Sequence, residues 1–264
     1  MRTVPHLVAV TYHRRMGSGR TKPALFGCED QDGNAFGDFV VKLKGGLETG
    51  VTGLSYELIA SLVADELGIA APAPALVEID PAIARAILEV DPAASEVLRK
   101  SGGTNFGTQL LVGGFRTWAT DQPVPIGLRR TATDVFAFDA LIQNPDRRFD
   151  NPNLLWRDEE ILVIDHDSAF SFLYALGDQS SPWNLEEALF LEQHVFYRAL
   201  KGKPTDLERF TGALEAISDD KIERIARAVP TEWRNDKLSS IMNHLTLLRD
   251  HAKEFIEQVK RRLA

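Results

Sequence analysis

The 264-residue chain has 44% apolar residues and a formal net charge of −8. This balance excludes extended disorder and disfavours a nucleic-acid binder held by a broad basic face. The single cysteine, Cys28, excludes an internal disulfide framework, and a structural zinc site lacks support without cysteine pairs. No apolar run approaches eighteen residues and the N-terminus has no apolar signal core, so we expect a cytoplasmic protein with no membrane or nucleic-acid partner.

The N-terminal segment predicts a strand followed by a basic loop that contains two glycines. His6–His13 has strand character, and the stretch 14–23 carries Gly17, Ser18 and Gly19 among four basic residues. Small residues let backbone N–H groups approach a phosphate, and the basic side chains add positive charge. The loop matches neither the Walker pattern nor the protein-kinase glycine loop, and a solvated turn explains it equally well.

A lysine-bearing strand and a helix follow. In the predicted strand Asp38–Lys44, alternation places Lys42 and Lys44 on one face, opposite the apolar positions. The helix predicted over Thr52–Leu67 carries Glu57 at the margin of its buried face, where it is suited to reach Lys42. Lys44 is the competitor for this pairing, and a solvated Glu57 is the ordinary alternative.

The middle of the chain predicts short elements up to residue 112. They are a strand (Ala75–Ile79), two short helices (Pro81–Val90 and Ala93–Lys100), an exposed loop (Ser101–Asn105) and a strand (Gln109–Val112). The last strand precedes Gly113-Gly114 and lies between the segment of Lys42 and Glu57 and the polar segment that follows. If the chain has two lobes around a nucleotide, their hinge belongs here, and the backbone of Gln109 and Leu111 would hydrogen-bond the adenine. Any strand end could have this sequence.

The central segment predicts a helix and then a β-hairpin. Apolar residues recur at helical spacing over Asp134–Gln143, and Asn144-Pro145 ends that helix. Asn153–Trp156 and Ile161–Ile164 read as strands joined by a short polar turn, so we expect them to pair antiparallel.

Three polar side chains surround this hairpin. Asn151 precedes its first strand and Asp165 follows its second, so the hairpin should bring the two together. Carboxylate and amide oxygens are the ligands that Mg²⁺ prefers. Asp146 lies on the loop leading in, where it could orient a substrate hydroxyl. The alternative is that Asn, Asp and Pro form only a polar turn.

The C-terminal third predicts an α-helical region. Its expected helices are Leu185–Leu200, Asp206–Ile217, Ser218–Val229 with Ser218 as N-cap, and one final helix over Asn235–Leu263.

Several of these segments resemble the HipA-like kinases, in their compact stand-alone branch. The resemblance is carried by FVVKLKGG, SYELIASLVADELGI, FDALIQNPDRRFDNPNLLW and VIDHDSAF. The spacing of the polar residues is more remotely similar to that of phosphatidylinositol kinases. The resemblance implies an α+β, two-lobed protein-kinase-like fold, with a mostly β N-lobe over residues 1–112 and a mostly α C-lobe over 113–264. The N-terminal extension of the longer toxin branch is not seen, so a toxin role is not assumed.

The resemblance also assigns roles to residues. Asp146 matches the catalytic Asp, Asn151 and Asp165 the metal ligands, and Lys42 the ATP-phosphate lysine, with Glu57 as its partner. Gly17-Ser18-Gly19 falls where the family has a phosphate loop. This sequence departs from the family at Arg148, where a histidine often follows the catalytic Asp by two residues.

The resulting hypothesis is a kinase that uses ATP and Mg²⁺ to phosphorylate a hydroxyl, most simply a Ser/Thr of a protein substrate. A small-molecule or lipid-headgroup kinase on the same scaffold is an alternative. A nucleotide-binding pseudokinase that acts through a partner is another. The identity of the acceptor and the oligomeric state are not encoded in these patterns.

Overall fold

The computed structural model describes residues 2–17, 22–120, 122–175 and 181–264. The chain forms two compact units. The strand-rich unit contains Arg2–Leu58 and Pro72–Val112, and the helical unit contains Ile59–Ala71 and Gly113–Ala264. The expected change from strands to helices along the chain is confirmed. The assignment of 1–112 and 113–264 as two kinase lobes remains a prediction.

The strand-rich unit is built on a closed five-stranded barrel. Its strands are β1 (His6–Arg15), β2 (Ala24–Glu29), β3 (Ala35–Lys42), β4 (Pro74–Ile79) and β5 (Gly103–Gln109). The order around the barrel is β1-β2-β3-β5-β4, and the parallel pairing of β1 with β4 closes it, whereas the other pairs are antiparallel. Closure leaves no free sheet edge. The sequence analysis did not anticipate the barrel, because it missed β2.

Inward-facing apolar side chains fill the barrel. The buried core includes members of four of the five strands, β1 to β4, namely Leu7, Ala9, Ala24, Phe26, Cys28, Phe39, Val41, Ala75, Val77 and Ile79. On β3 the alternation is as expected, since Phe39 and Val41 are buried while Val40 and Lys42 are only partly so. Burial raises the pKa of the Cys28 thiol to about 12, so this cysteine is a packing residue rather than a nucleophile.

The helices of this region are α1 (Val51–Leu67), α2 (Pro81–Ala86) and α3 (Pro92–Arg99). The N-cap Asp80 accepts a hydrogen bond from the Ala82 amide, and Asp91 from the Ala94 amide, each before a proline at the first helical position. Gly68 ends α1 with φ of 69°. Most of α1 is buried around its whole circumference, so the expectation of a single buried stripe with Glu57 at its margin is wrong.

Two expectations for residues 101–112 are also wrong. The exposed loop predicted over Ser101–Asn105 is largely strand, and the side chains of Ser101 and Asn105 are buried. The Asn105 side chain can be buried because it is fully paired: Oδ1 accepts from the Lys44 amide, and Nδ2 donates to the carbonyls of Ser101 and Gly103. The strand predicted over Gln109–Val112 ends at Gln109, and Val112 is exposed.

The helical unit combines a small sheet with six helices in its described residues. Its strands are β6 (Arg116–Thr117), β7 (Leu154–Arg157) and β8 (Glu160–Val163). Its helices are α4 (Arg129–Leu141), α5 (Tyr197–Leu200), α6 (Glu208–Glu215), α7 (Asp219–Ala228), α8 (Asp236–Asp250) and α9 (Ala252–Leu263), in addition to the end of α1. Among the residues described, no helix is both long and apolar enough to cross a membrane.

The predicted hairpin is confirmed. β7 and β8 pair antiparallel, with Leu154 opposite Val163 and a turn at Asp158-Glu159. β6 adds a third strand on the β7 side.

The C-terminal helices are only partly as predicted. α7 begins after the N-cap Ser218, as expected. The helix predicted over Leu185–Leu200 is instead a 3₁₀ turn (Leu189–Gln193) followed by the single-turn α5. The predicted final helix is two helices, because His251 leaves helical geometry with ψ of 35°. The apolar spacing continues through His251, so periodicity alone could not reveal this break.

Candidate active site

Lys42 and Glu57, both in the strand-rich unit, form a buried ion pair. β3 presents Lys42 from a position paired with Phe106 of β5, and α1 supplies Glu57. The Lys42 side chain is 11% exposed and that of Glu57 is 2% exposed. The competitor Lys44 lies beyond the end of β3 in a 3₁₀ turn, so Lys42 is the lysine that meets Glu57.

Other predicted nucleotide contacts lie at separate places in this unit. Gly17 follows β1 at the β1–β2 connection, where the Met16 amide bonds to the Pro23 carbonyl. Ser18 and Gly19 lie outside the described residues. At the far end of β5, Gln109 is exposed and Leu111 is partly buried beyond the strand. Gln109 stands three ladder positions from the residue opposite Lys42.

In the helical unit, the loop between α4 and β7 orients the Asp146 carboxylate. Asp146 Oδ2 accepts hydrogen bonds from Asn151 Nδ2 at 2.9 Å and from Asn153 Nδ2 at 3.2 Å. The Asp146 amide in turn donates to Asn144 Oδ1 at 3.2 Å. The side-chain amides of Asn151 and Asn153 both contact Oδ2, which leaves Oδ1 as the oxygen that could accept from a substrate. The Asn151 nitrogen faces Asp146, which makes the amide oxygen its available ligand atom.

Asp165 is the second carboxylate that the sequence predicts for the site. It follows β8 after one intervening residue, Ile164, and has φ of 63°, an uncommon left-handed backbone for a residue other than glycine. The Ile164 amide donates to the Asn153 carbonyl at 3.1 Å, so pairing continues beyond β7 and β8 up to Asp165. Asp165 and Asp167 each place a carboxylate oxygen within 4.8 Å of the other. These all-oxygen donors, together with the Asn151 amide oxygen, fit a hard divalent cation such as Mg²⁺.

Arg147, the residue after Asp146, belongs to a fully buried polar cluster that the sequence analysis missed. Asp139 of α4 accepts from Asn144 Nδ2 at 3.0 Å, Arg147 Nε at 2.6 Å and His194 Nε2 at 3.0 Å. Asp139 and Arg147 are fully enclosed. The available signal was Asp139 itself, since a charge surrounded by apolar helix positions requires a buried partner.

Electrostatics fix the protonation states in this cluster. Burial favours the neutral acid of Asp139, but the Arg147 charge and the His194 hydrogen bond outweigh it and lower its pKa. Burial lowers the pKa of His194 despite the neighbouring carboxylate. His194 Nδ1 accepts from the Phe196 amide at 3.1 Å, so the imidazole is neutral with its proton on Nε2.

The cluster explains why residues 185–200 are not a helix. The Val195 amide donates to the Arg147 carbonyl and the Phe149 amide to the Gln193 carbonyl, both at 3.1 Å. These bonds place the segment alongside the 146–151 loop and bring His194 to Asp139. A helix over Leu185–Leu200 would remove that contact, so tertiary pairing overrides the local helical pattern here.

A hydrogen bond from α8 holds the C-terminal end of α4. His244 Nε2 donates to the Leu141 carbonyl at 2.8 Å, and its ring stacks on Phe172 at 4.2 Å. Burial lowers the pKa of His244 to about 4, so it is neutral near pH 7. The Phe170 amide donates to the Ile142 carbonyl at 2.7 Å. The segment after Asp165 is therefore attached to the same helix end as the Asp146 loop.

A carboxylate oriented on a loop, candidate oxygen ligands and a lysine–glutamate pair are features that kinases use in phosphoryl transfer. The sequence model of the HipA-like kinase family matches residues 9–262. The chain therefore belongs to the HipA-like kinase family.

A solved structure gives the same indication for the fold. The crystal structure of CtkA, a proinflammatory kinase of Helicobacter pylori, is similar with a TM-score of 0.55 and 14% sequence identity. The match covers 99% of this chain and 98% of CtkA. No curated protein sequence matches the chain significantly. At this identity the likeness to CtkA concerns the fold alone.

Proposed function

We propose that this chain is an ATP- and Mg²⁺-dependent kinase that transfers the γ-phosphate to a Ser/Thr hydroxyl of a protein. The observation that carries the proposal is the Asp146 carboxylate, held through one oxygen by Asn151 and Asn153. It lies in a loop that leads into the hairpin ending at Asp165, in a member of a kinase family.

Asp146 is the proposed catalytic residue. With Oδ2 held by two amides, Oδ1 orients the acceptor hydroxyl and takes its proton as the oxygen attacks the γ-phosphorus. The bond between that phosphorus and the β,γ-bridging oxygen breaks, and ADP leaves with its electron pair. Orientation of this kind supplies most of the catalysis in phosphoryl transfer, because little covalent chemistry is required of the protein.

Asn151, Asp165 and Asp167 are the residues that would hold Mg²⁺. When bound, the cation neutralises charge on the phosphate oxygens. The left-handed backbone at Asp165 supports this role, since strained conformations persist where the surroundings enforce them and are concentrated at functional sites.

Lys42 is the proposed phosphate-binding lysine. Glu57 compensates its charge and holds its ammonium group, and the 11% exposure of the Lys42 side chain leaves it accessible to a ligand. Contact of the Gly17-Ser18-Gly19 loop with phosphate and reading of the adenine by Gln109 and Leu111 complete the proposed nucleotide site.

An exposed aromatic residue in the loop that carries Asp146 supports a protein acceptor. The Phe149 side chain lies in the same loop and is 41% exposed. The Arg198 guanidinium lies over its ring at 5.2 Å. Such an aromatic and basic surface gives a polypeptide more contact area than a small molecule needs.

The test is phosphate transfer from labelled ATP by a matched pair of variants. Asp165 and Asp158 both lie on the hairpin with positive φ, of 63° and 51°. Asparagine tolerates this conformation, so Asp→Asn removes the charge with little backbone strain. We expect Asp165→Asn to lose about 10³-fold or more in kcat, because a metal site supplies several kcal/mol of transition-state stabilisation. Asp158→Asn, an exposed turn substitution, should retain wild-type transfer.

Equal transfer by the two variants would refute the metal assignment. A panel of protein, small-molecule and lipid-headgroup acceptors, read with the same label, decides the acceptor class. Binding of Mg·ATP by the wild-type chain without transfer to any acceptor or to itself would refute the proposed activity and favour a pseudokinase.

A further inference from the structure

Arg147 follows Asp146 in the chain but points into the interior. Its side chain is fully enclosed, whereas Asp146 is partly exposed. Arg147 Nε donates to Asp139 of α4 at 2.6 Å. Nη1 donates to two backbone carbonyls, that of Ile164 at 3.0 Å and that of Asn153. One guanidinium group therefore joins the end of α4 to both strands of the hairpin.

The two carbonyls adjoin the side chains of the proposed reaction. Asn153 directly precedes β7, and its side chain donates to Asp146. Ile164 directly follows β8 and precedes Asp165. The planar guanidinium fixes all three donor directions at once, which lysine cannot do. Arg147 is thus hydrogen-bonded to the backbone next to Asp165 and at Asn153, and it adjoins Asp146 in the chain.

Charge compensation alone would not require these carbonyl contacts. A buried ion pair can often be replaced by neutral residues with little loss of stability, although removal of one partner is costly. Asp139 also has two other donors, Asn144 and His194. If Arg147 served only to neutralise Asp139, removing both charges would restore the protein completely.

We propose that Arg147 is the positioning residue of the catalytic loop, acting through its hydrogen bonds to the Asn153 and Ile164 carbonyls. The inference rests on the proposed kinase function for its effect on turnover, but the structural tether can be measured without it.

The turnover experiment compares Arg147→Met, Arg147→Lys and the double variant Asp139→Asn/Arg147→Met. Arg147→Met should be unstable as well as slow, because it leaves a buried carboxylate without its cation. The double variant removes both charges and keeps an acceptor oxygen at position 139. We expect it to recover stability to denaturant while its kcat stays about 100-fold below wild type, since small misplacements of reacting groups cost about that much.

Arg147→Lys retains the positive charge but loses the planar guanidinium with its several N–H donors. Its kcat should therefore also stay low, while KM for ATP changes little. Arg224→Met is the matched control, because Arg224 is an exposed arginine of α7 that forms a surface ion pair with Asp220, one turn earlier. Recovery of kcat to the wild-type value in the double variant or in Arg147→Lys would overturn the proposal, because charge alone would then be sufficient.

Hydrogen exchange supplies a readout independent of activity. In the wild type, the Asn151 amide donates to the Arg148 carbonyl and the Ile164 amide to the Asn153 carbonyl, both at 3.1 Å. In the double variant both amides should exchange about tenfold faster or more, since local opening becomes easier once the tether is lost. Amides of α7 should be unchanged. Unchanged exchange at Asn151 and Ile164 would overturn the proposal even if the wild type never turns over ATP, so the two failures are distinguishable.

Discussion

Each unit contains a group of buried charges, and the two groups differ in enclosure. In the strand-rich unit, Lys42 meets Glu57 in a pair whose lysine is 11% exposed. In the helical unit, Asp139 and Arg147 are completely enclosed and are joined by Asn144 and His194. A charged side chain that binds a ligand has to remain accessible to it. The hydrogen bonds of a charged side chain that holds a loop are stronger when water is excluded. Exposure thus separates the proposed phosphate-binding cation from the proposed positioning cation.

The largest effect should come from breaking the enclosed group. Asp139→Asn leaves the Arg147 guanidinium buried without a counter-charge, so we expect the free energy of unfolding to fall by about 3–5 kcal/mol. Urea denaturation measures this. Asp150→Asn is the control, because Asp150 is 56% exposed in the same loop and should change stability by less than about 1 kcal/mol. A similarly small loss for Asp139→Asn would show that the enclosed cluster does not stabilise the fold.

Acid should destabilise the helical unit more than the strand-rich unit. Among the described residues, the buried histidines all lie in the helical unit, namely His166, His194 and His244. The folded-state pKa of His244 is lowered from 6.5 to about 4. The unfolded chain therefore binds a proton between these values while the folded chain resists it. Stability is fully present above pH 6.5 and falls as the pH drops towards 4, by about 3 kcal/mol in total.

The measurement is urea denaturation of His244→Gln at pH 7 and pH 4.5. Glutamine can still donate to the Leu141 carbonyl, so the acid-dependent loss should become smaller than in the wild type. The exposed His6 on β1 provides the control, and His6→Gln should keep the wild-type pH dependence. An unchanged pH dependence in His244→Gln would mean that another group causes the acid lability.

Breaking the Lys42–Glu57 pair should reduce stability less than breaking the enclosed group, but it should strongly weaken nucleotide binding. Lys42→Met leaves Glu57 buried, and we expect a loss of about 1–3 kcal/mol in the free energy of unfolding. The double variant Lys42→Met/Glu57→Leu should recover most of that stability. Its affinity for Mg·ATP, measured by calorimetry, should nevertheless stay well below that of the wild type. Wild-type affinity in this double variant would contradict the role of Lys42.

Local patterns revealed the parts of the site that depend on short stretches of chain. The β7–β8 hairpin, the end of α1 at Gly68 and the inward face of β3 follow from alternation, helical periodicity and turn residues. The pairing of Lys42 with Glu57 was also proposed from the sequence, although the stripe on α1 that suggested it is absent, because α1 is buried on all sides over residues 53–64.

Long-range polar contacts could not be found in this way. His194 reaches Asp139 across 55 residues, within a segment whose apolar spacing favours a helix. Arg147 looked like one of two adjacent loop arginines, and only the tertiary structure separates the buried Arg147 from the more exposed Arg148. Barrel closure by parallel pairing of β1 with β4 likewise depends on contacts remote in sequence.

The most direct measurement is a crystal structure with Mg²⁺ and a non-hydrolysable ATP analogue. The account predicts Mg²⁺ bound to the Asn151 amide oxygen and to Asp165, with Lys42 on the phosphates and Asp146 unligated by the metal. A metal–nucleotide complex bound elsewhere, with no ligand from Asn151 or Asp165, would contradict it.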